Sequence, residues 1–149
     1  MRTVYDMLDR KAEPHNTIDP DALVVEALHL MDDVNLSYVV VMRDEKFMGI
    51  FSERDYSRNV ALKGRSSATC PVKDAMTKDL PVVSPTDTVE NCIQKILEHK
   101  TRYLPVFEES DFKGVITMHD IMRQVLSDKQ LVFDEEMIEY FFDDGGKIF

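Results

Sequence analysis

The apolar positions fall into two alternating rhythms, and the whole series is written twice. Val24, Ala27, Leu28 and Met31 recur at steps of three and four, as do Val89, Cys92, Ile93 and Ile96. That spacing predicts one buried face on each of two helices. Each helix is followed by a β-branched run, "YVVVM" from Tyr38 and "YLPVF" from Tyr103. Polar turns, "RDEK" and "EESD", then lead to "FMGIF" and "FKGVI", so each pair of runs predicts a hairpin. A further helix is predicted to start at Ser52 and at Thr117. Upstream, "TIDP" and "VVSP" read as short extended pieces ending in a helix start. Asp19 and Ser84 are the expected N-caps, with Pro20 and Pro85 at the first helical position. Ser84 and Asp87 also match a capping box.

The repeat is regular. "GIFSERD" begins at Gly49 and "GVITMHD" at Gly114, a spacing of 114 − 49 = 65. The same slide puts Pro20 on Pro85, Val24 on Val89, Tyr38 on Tyr103, Phe47 on Phe112 and Arg58 on Arg123. "VYDML" from Val4 matches "VKDAM" from Val72 at a spacing of 72 − 4 = 68, so the first copy carries three extra residues near "RKAEPHN". The expected fold is α/β (α+β): two β-α-β-β-α repeats packed as a pseudo-two-fold pair, because one copy cannot cover both faces of its sheet alone. The expected division is repeat one over 1–63, a linker over 64–71, repeat two over 72–127 and a C-terminal helical tail over 128–149. In the tail, "FDEEMIEYFF" predicts an amphipathic helix with Phe133, Met137, Tyr140 and Phe141 on its apolar stripe. It would pack on its own module or grip a partner.

Composition narrows the function. The 149 residues suffice for a packed core. The formal net charge is −10, which argues against binding nucleic acid or an anionic membrane. It leaves room for a small phosphorylated ligand held by a local positive site. No apolar run approaches a membrane span, and the charged N-terminus "MRTVYDMLDRKAEP" has no signal core. Cys70 and Cys92 suggest neither a disulfide framework nor a metal site, so a reducing cytoplasm is the expected compartment.

The repeated Gly-x-x-(Ser/Thr)-x-x-Asp has a structural and a functional reading. Structurally, Ser52 with Asp55 and Thr117 with Asp120 are capping boxes, and Gly49 and Gly114 permit close packing of a strand. Functionally, a helix N-terminus attracts phosphate. The hydroxyl of Ser52 or Thr117 could add a donor, and Asp55 or Asp120 could accept from the two hydroxyls of a ribose.

The double β-α-β-β-α pattern, the repeated heptad, "MT" at Met76–Thr77 and "YLPV" at Tyr103–Val106 resemble a tandem pair of cystathionine β-synthase (CBS) domains, the Bateman module. The resemblance runs from Val4 to about Leu126 and is closest to members that carry the pair and little else. It implies a sensor of adenosine-containing ligands such as AMP, ADP, ATP, NAD(H) or S-adenosylmethionine, bound in clefts between the copies, with no catalytic cofactor and no catalysis. It implies that Asp55 and Asp120 hold ribose, that Ser52 and Thr117 lie near phosphate, and that Tyr103, Leu104 and Pro105 line a base pocket. Tyr38, Val39 and Val40 are the counterparts in copy one, which lacks the proline. It also implies a homodimer of four copies that regulates some other protein.

Arg54, Arg58, Lys63 and Arg65 form a basic cluster in an acidic chain. It reads as a solvated helix face or as a phosphate clamp, with Arg54 and Arg58 an i, i+4 pair. Arg102, directly before "YLPV", stands where the resemblance implies a further contact to phosphate. Cys70 in the linker could act as a redox switch, and Cys92 reads as core. His119 beside Asp120 does not suggest a dyad, because adjacent helix residues diverge. The alternative function is a structural, protein-interaction module with degenerate pockets.

Overall fold

The computed structural model describes residues 2–11 and 15–128. The expected tail helix lies outside the described residues. Among those described, the order is α1 (Val4–Arg10), β1 (Thr17–Ile18), α2 (Val24–Val34), β2 (Tyr38–Arg43), β3 (Lys46–Ser52), α3 (Glu53–Asp55), α4 (Val89–His99), β4 (Tyr103–Glu108), β5 (Asp111–Thr117) and α5 (Met118–Asp128). A π-helical turn, Tyr56–Ala61, continues α3, and a 3-10 turn, Val72–Asp74, follows the linker.

The chain forms two compact units, residues 15–79 in one and residues 2–11 with 80–128 in the other. The unit of 15–79 holds a three-stranded sheet in the order β1-β2-β3, with β1 parallel to β2 and β2 antiparallel to β3. In the other unit β4 and β5 form a hairpin, and the expected first strand is reduced to a parallel bridge between Val83 and Val106. The two hairpins keep the 65-residue spacing to fine detail. Each has a bulge, between Val41 and Met42 and between Val106 and Phe107. Each turn has a positive φ, at Asp44 and at Glu109, and each preceding helix ends on a left-handed residue, Asn35 or Lys100.

The division of the chain follows the leading segments rather than the repeat boundaries. α1 packs its buried Val4 and Met7 with Val89, Cys92, Ile96, Leu104, Ile116 and Ile121. The matching segment after the linker packs Val72 and Ala75 with Val24, Ala27, Val39, Val41 and Phe51. Each leading segment therefore completes the core built by the other copy's helices and hairpin.

The expected N-caps are corrected. Helices α2 and α4 begin at Val24 and Val89, with Leu23 and Thr88 as their caps. Asp19 and Ser84 instead open turns. Ala22 N–H donates to the Asp19 carbonyl (3.0 Å) and Asp87 N–H to the Ser84 carbonyl (3.1 Å). Pro20 and Pro85 stand just inside these turns, where a fixed φ is favoured. Asp87 does reach back to Ser84, accepting its N–H at 2.7 Å, but the pair fixes a turn. The orphan donors at the start of α2 are satisfied by the linker: Val24 N–H donates to the Cys70 carbonyl (2.8 Å) and Val25 N–H to the Ser67 carbonyl (2.9 Å). Both cysteines are buried and free. Burial, reinforced by the negative charge of Asp87, pushes the Cys92 thiol up to about 12, which suits a core residue.

Candidate functional site

In copy one, β3 delivers Ser52 in extended conformation to the start of α3. Ser52 Oγ accepts the Asp55 N–H at 3.3 Å, and Asp55 Oδ2 accepts from Ser52 N–H and Ser52 Oγ, both at 2.9 Å. This is the capping box the sequence predicts. Asp55 Oδ1 accepts a short bond, 2.6 Å, from the Thr77 hydroxyl. Asp55 is 8% exposed. Burial raises its carboxyl above the ordinary value of 3.8, against the opposing pull of Thr77, Ser52 and the Arg58 charge.

Copy two builds the same corner differently. Thr117 Oγ1 accepts the Asp120 N–H at 3.1 Å, and Asp120 Oδ2 accepts the Thr117 N–H at 2.9 Å. A further donor is Lys11, whose Nζ lies 2.9 Å from Asp120 Oδ2 and 2.9 Å from the Val115 carbonyl. A neutral hydroxyl serves Asp55; an ammonium serves Asp120. Both partners come from the segments that complete each unit, Thr77 after the linker and Lys11 just after α1.

The helix starts are partly occupied by the chain itself. Glu53 N–H donates to the Ser37 carbonyl at 3.0 Å, and Met118 N–H to the Arg102 carbonyl at 2.9 Å. Ser37 and Arg102 are again 65 apart (102 − 37 = 65). Of the expected phosphate donors, the backbone of Arg102 thus has a structural duty in addition to whatever its side chain does.

The base-lining candidates divide by face. Leu104 and Val39 are fully buried in the cores of their units. Their side chains serve packing, so only their backbone atoms could serve a ligand. Tyr103, Pro105, Tyr38 and Val40 alternate with them along β4 and β2, as the two-residue period of a strand requires, and all four are buried.

The basic cluster is also divided. Arg65 is structural: its guanidinium donates to the carbonyls of Asp74 (2.8 Å) and Asn59 (3.2 Å). Arg58 and Lys63 are exposed and Arg54 is half-buried. The π-helical turn, where Leu62 N–H donates five residues back to the Ser57 carbonyl (2.9 Å), replaces the α-helical register that the Arg54–Arg58 pairing assumed. In copy two His119 and Arg123 take these positions, and the Arg123 guanidinium donates to His119 Nε2 at 2.8 Å. His119 is thus tied to Arg123.

Thr77, although part of the "MT" at Met76–Thr77, and Lys11 are site residues that the sequence pattern left unassigned. Thr77 could have been found from its place after the matched "VKDAM" segment. Lys11 falls where the first copy has its extra residues, so the repeat offers it no counterpart.

The profile of the family described as "CBS domain" matches residues 5–61 and 72–127. The chain belongs to the CBS domain family and carries two such domains. It is 31% identical over 111 residues to the CBS domain-containing protein CBSX3, mitochondrial, of Arabidopsis thaliana; the match covers 71% of this chain and 54% of that protein, so the chain spans about half its length. It is 30% identical over 110 residues to the inosine-5′-monophosphate dehydrogenase of Methanocaldococcus jannaschii, of which it covers 21% against 72% of itself. A solved structure of CBSX2 in complex with AMP is similar at 26% identity, with a TM-score of 0.69, over 87% of this chain and all of that one. No helix among the described residues is long and apolar enough to cross a membrane.

A pH prediction follows from Asp55. Its raised value means that the folded protein holds the proton more readily than the unfolded chain. The Asp55 contribution to stability is therefore fully present below 3.8 and is lost as pH rises through the window between 3.8 and the raised value. Urea unfolding of wild type and Asp55→Asn from about pH 3.5 to 7 measures this as a gap that moves against wild type with rising pH. A gap independent of pH would show that burial does not strain the ionised carboxylate.

Proposed function

We propose that the chain is a regulatory module that binds an adenine nucleotide, AMP, ADP, ATP or NAD(H), and modulates a partner protein. The observation that carries this reading is the double occurrence of a buried carboxylate beside a hydroxyl at a helix start, at Asp55 with Ser52 and at Asp120 with Thr117. A carboxylate so placed can accept from both hydroxyls of a ribose. The AMP complex of the CBSX2 relative supports the ligand class. The assembly proposed is a homodimer of four copies in a reducing cytoplasm, acting on small molecules and a protein partner, without catalytic chemistry of its own.

One observation favours the second reading, a protein-interaction module with degenerate sites. Both carboxylates already have internal partners, Thr77 for Asp55 and Lys11 for Asp120. A ligand must share or displace them. Calorimetry with AMP, ADP, ATP, NADH and adenosine, with mass spectrometry of small molecules that co-purify, separates the two. Saturable binding of an adenine nucleotide is expected. No binding of any of the five, with nothing co-purified, would leave the interaction module.

A further inference from the structure

The two sites differ most in what faces the carboxylate. At Asp55 the donors are hydroxyls and a backbone amide, and the cation acting on the carboxyl, Arg58, is exposed. At Asp120 the Lys11 ammonium sits directly on Oδ2. The Lys11 side chain is 17% exposed and that of Asp120 8% exposed. Charges so far out of water are weakly screened by salt. Lys11 is anchored as well as paired, because its Nζ also donates to the Val115 carbonyl on β5. It arrives directly after α1, whose Arg10 reaches Gln124 (3.4 Å) and Ser127 (3.3 Å) of α5.

We propose that Lys11 sets the charge preference of the copy-two site: by cancelling the Asp120 carboxylate it lets that site take a phosphorylated nucleoside in preference to the uncharged nucleoside. This rests on the nucleotide reading above. The physical case is direct. A nucleoside phosphate approaching an unpaired carboxylate, in a chain of net charge −10, meets repulsion. An ammonium on that carboxylate removes the repulsion without removing the acceptor that a ribose hydroxyl needs. Uncharged adenosine feels little of this difference. Lys11 therefore acts on the ratio of AMP to adenosine affinity, a quantity that a purely structural residue would leave alone.

The test is calorimetry of AMP and of adenosine in an Asp55→Asn background, which isolates copy two, with Lys11→Met, Lys11→Gln and Lys11→Arg added singly. Met keeps the apolar stem and removes the charge. Gln also keeps a donor for the Val115 carbonyl, and is read by the same ratio, so loss of fold in the Met variant does not decide the outcome. The AMP-to-adenosine ratio is expected to fall about tenfold in the Met and Gln variants, the size of one unit charge acting across several ångströms at high effective dielectric. Arg is expected to keep the ratio. An unchanged ratio in the neutral variants overturns the role of Lys11 and leaves the nucleotide reading standing. Absence of AMP binding in the wild-type chain sinks both.

Discussion

Asp120→Ala is expected to destabilise the protein by about 3 kcal/mol, near the low end for breaking a buried ion pair. The carboxylate accepts the Thr117 N–H and the Lys11 ammonium; without it both lose this acceptor, and Lys11 keeps the Val115 carbonyl. The donation from residue 120 N–H to Thr117 Oγ1 survives in the alanine variant, so part of the cap is kept. The low end applies because Lys11, at 17% side-chain exposure, can turn its head to water once released. Urea unfolding near neutral pH measures the loss. Asp55→Ala should cost less there, because the ionised Asp55 carboxyl is already disfavoured by burial and is held mainly by neutral donors. An Asp120→Ala loss below that of Asp55→Ala would contradict this account of the two corners.

The same substitution removes the proposed ribose acceptor. Nucleotide binding at copy two should weaken by about 1.5–3 kcal/mol, the range for a hydrogen bond to a charged group. Stability and binding are measured separately, so a variant that folds and binds AMP unchanged would remove Asp120 from the site while leaving its structural role intact.

Much of this corner was legible in the sequence because it is local. The capping boxes at Ser52 and Thr117 lie within four residues of chain, and side-chain type suffices to predict them. The hairpins were legible for the same reason; the positive φ that Asp44 and Glu109 share at the same spacing of 65 was found only in the structure. What was not legible is non-local. The starts of α2 and α4 moved to Val24 and Val89 because Cys70, Ser67 and Arg2 supply carbonyls from distant chain. No propensity at Asp19 or Ser84 reports that. The exchange of leading segments is likewise invisible to a repeat comparison, which matches "VYDML" to "VKDAM" but does not say which core each enters. Thr77 and Lys11 reach their carboxylates only through that exchange. The π-helical turn after Asp55 has the same origin, in part. The Asn59 side chain donates to the Ala75 carbonyl at 2.8 Å and Arg65 to Asp74, so the widened turn is held by the segment after the linker.

Gly49→Ala is expected to cost about 2–3 kcal/mol, the upper part of the range for overpacking a closed site. A Cβ on residue 49 would stand 2.7 Å from the Thr77 carbonyl oxygen and 3.1 Å from Met76 Sδ. The thioether can move, since Met is flexible. The carbonyl cannot move cheaply. It accepts the Ile50 N–H at 3.0 Å, while Thr77 N–H donates to the Ile50 carbonyl at 2.8 Å. Pushing Thr77 away strains both bonds and draws its hydroxyl from Asp55 Oδ1. The repeated glycine therefore has a structural reason in copy one: the chain's own Thr77 backbone packs against it, where a Cβ would stand. Gly114 differs, because its near neighbour is the Leu8 Cδ2 methyl at 3.1 Å, which can turn aside, and its own φ of +148° supplies the strain instead. Gly49→Ala should thus carry a second signature that Gly114→Ala lacks. With Thr77 withdrawn, Asp55 loses a bond that favours its charged form, so its carboxyl should rise further above 3.8. Carboxyl titration by NMR in both variants reads this directly, and an unmoved Asp55 in Gly49→Ala would show that the glycine does not hold Thr77 on its carboxylate.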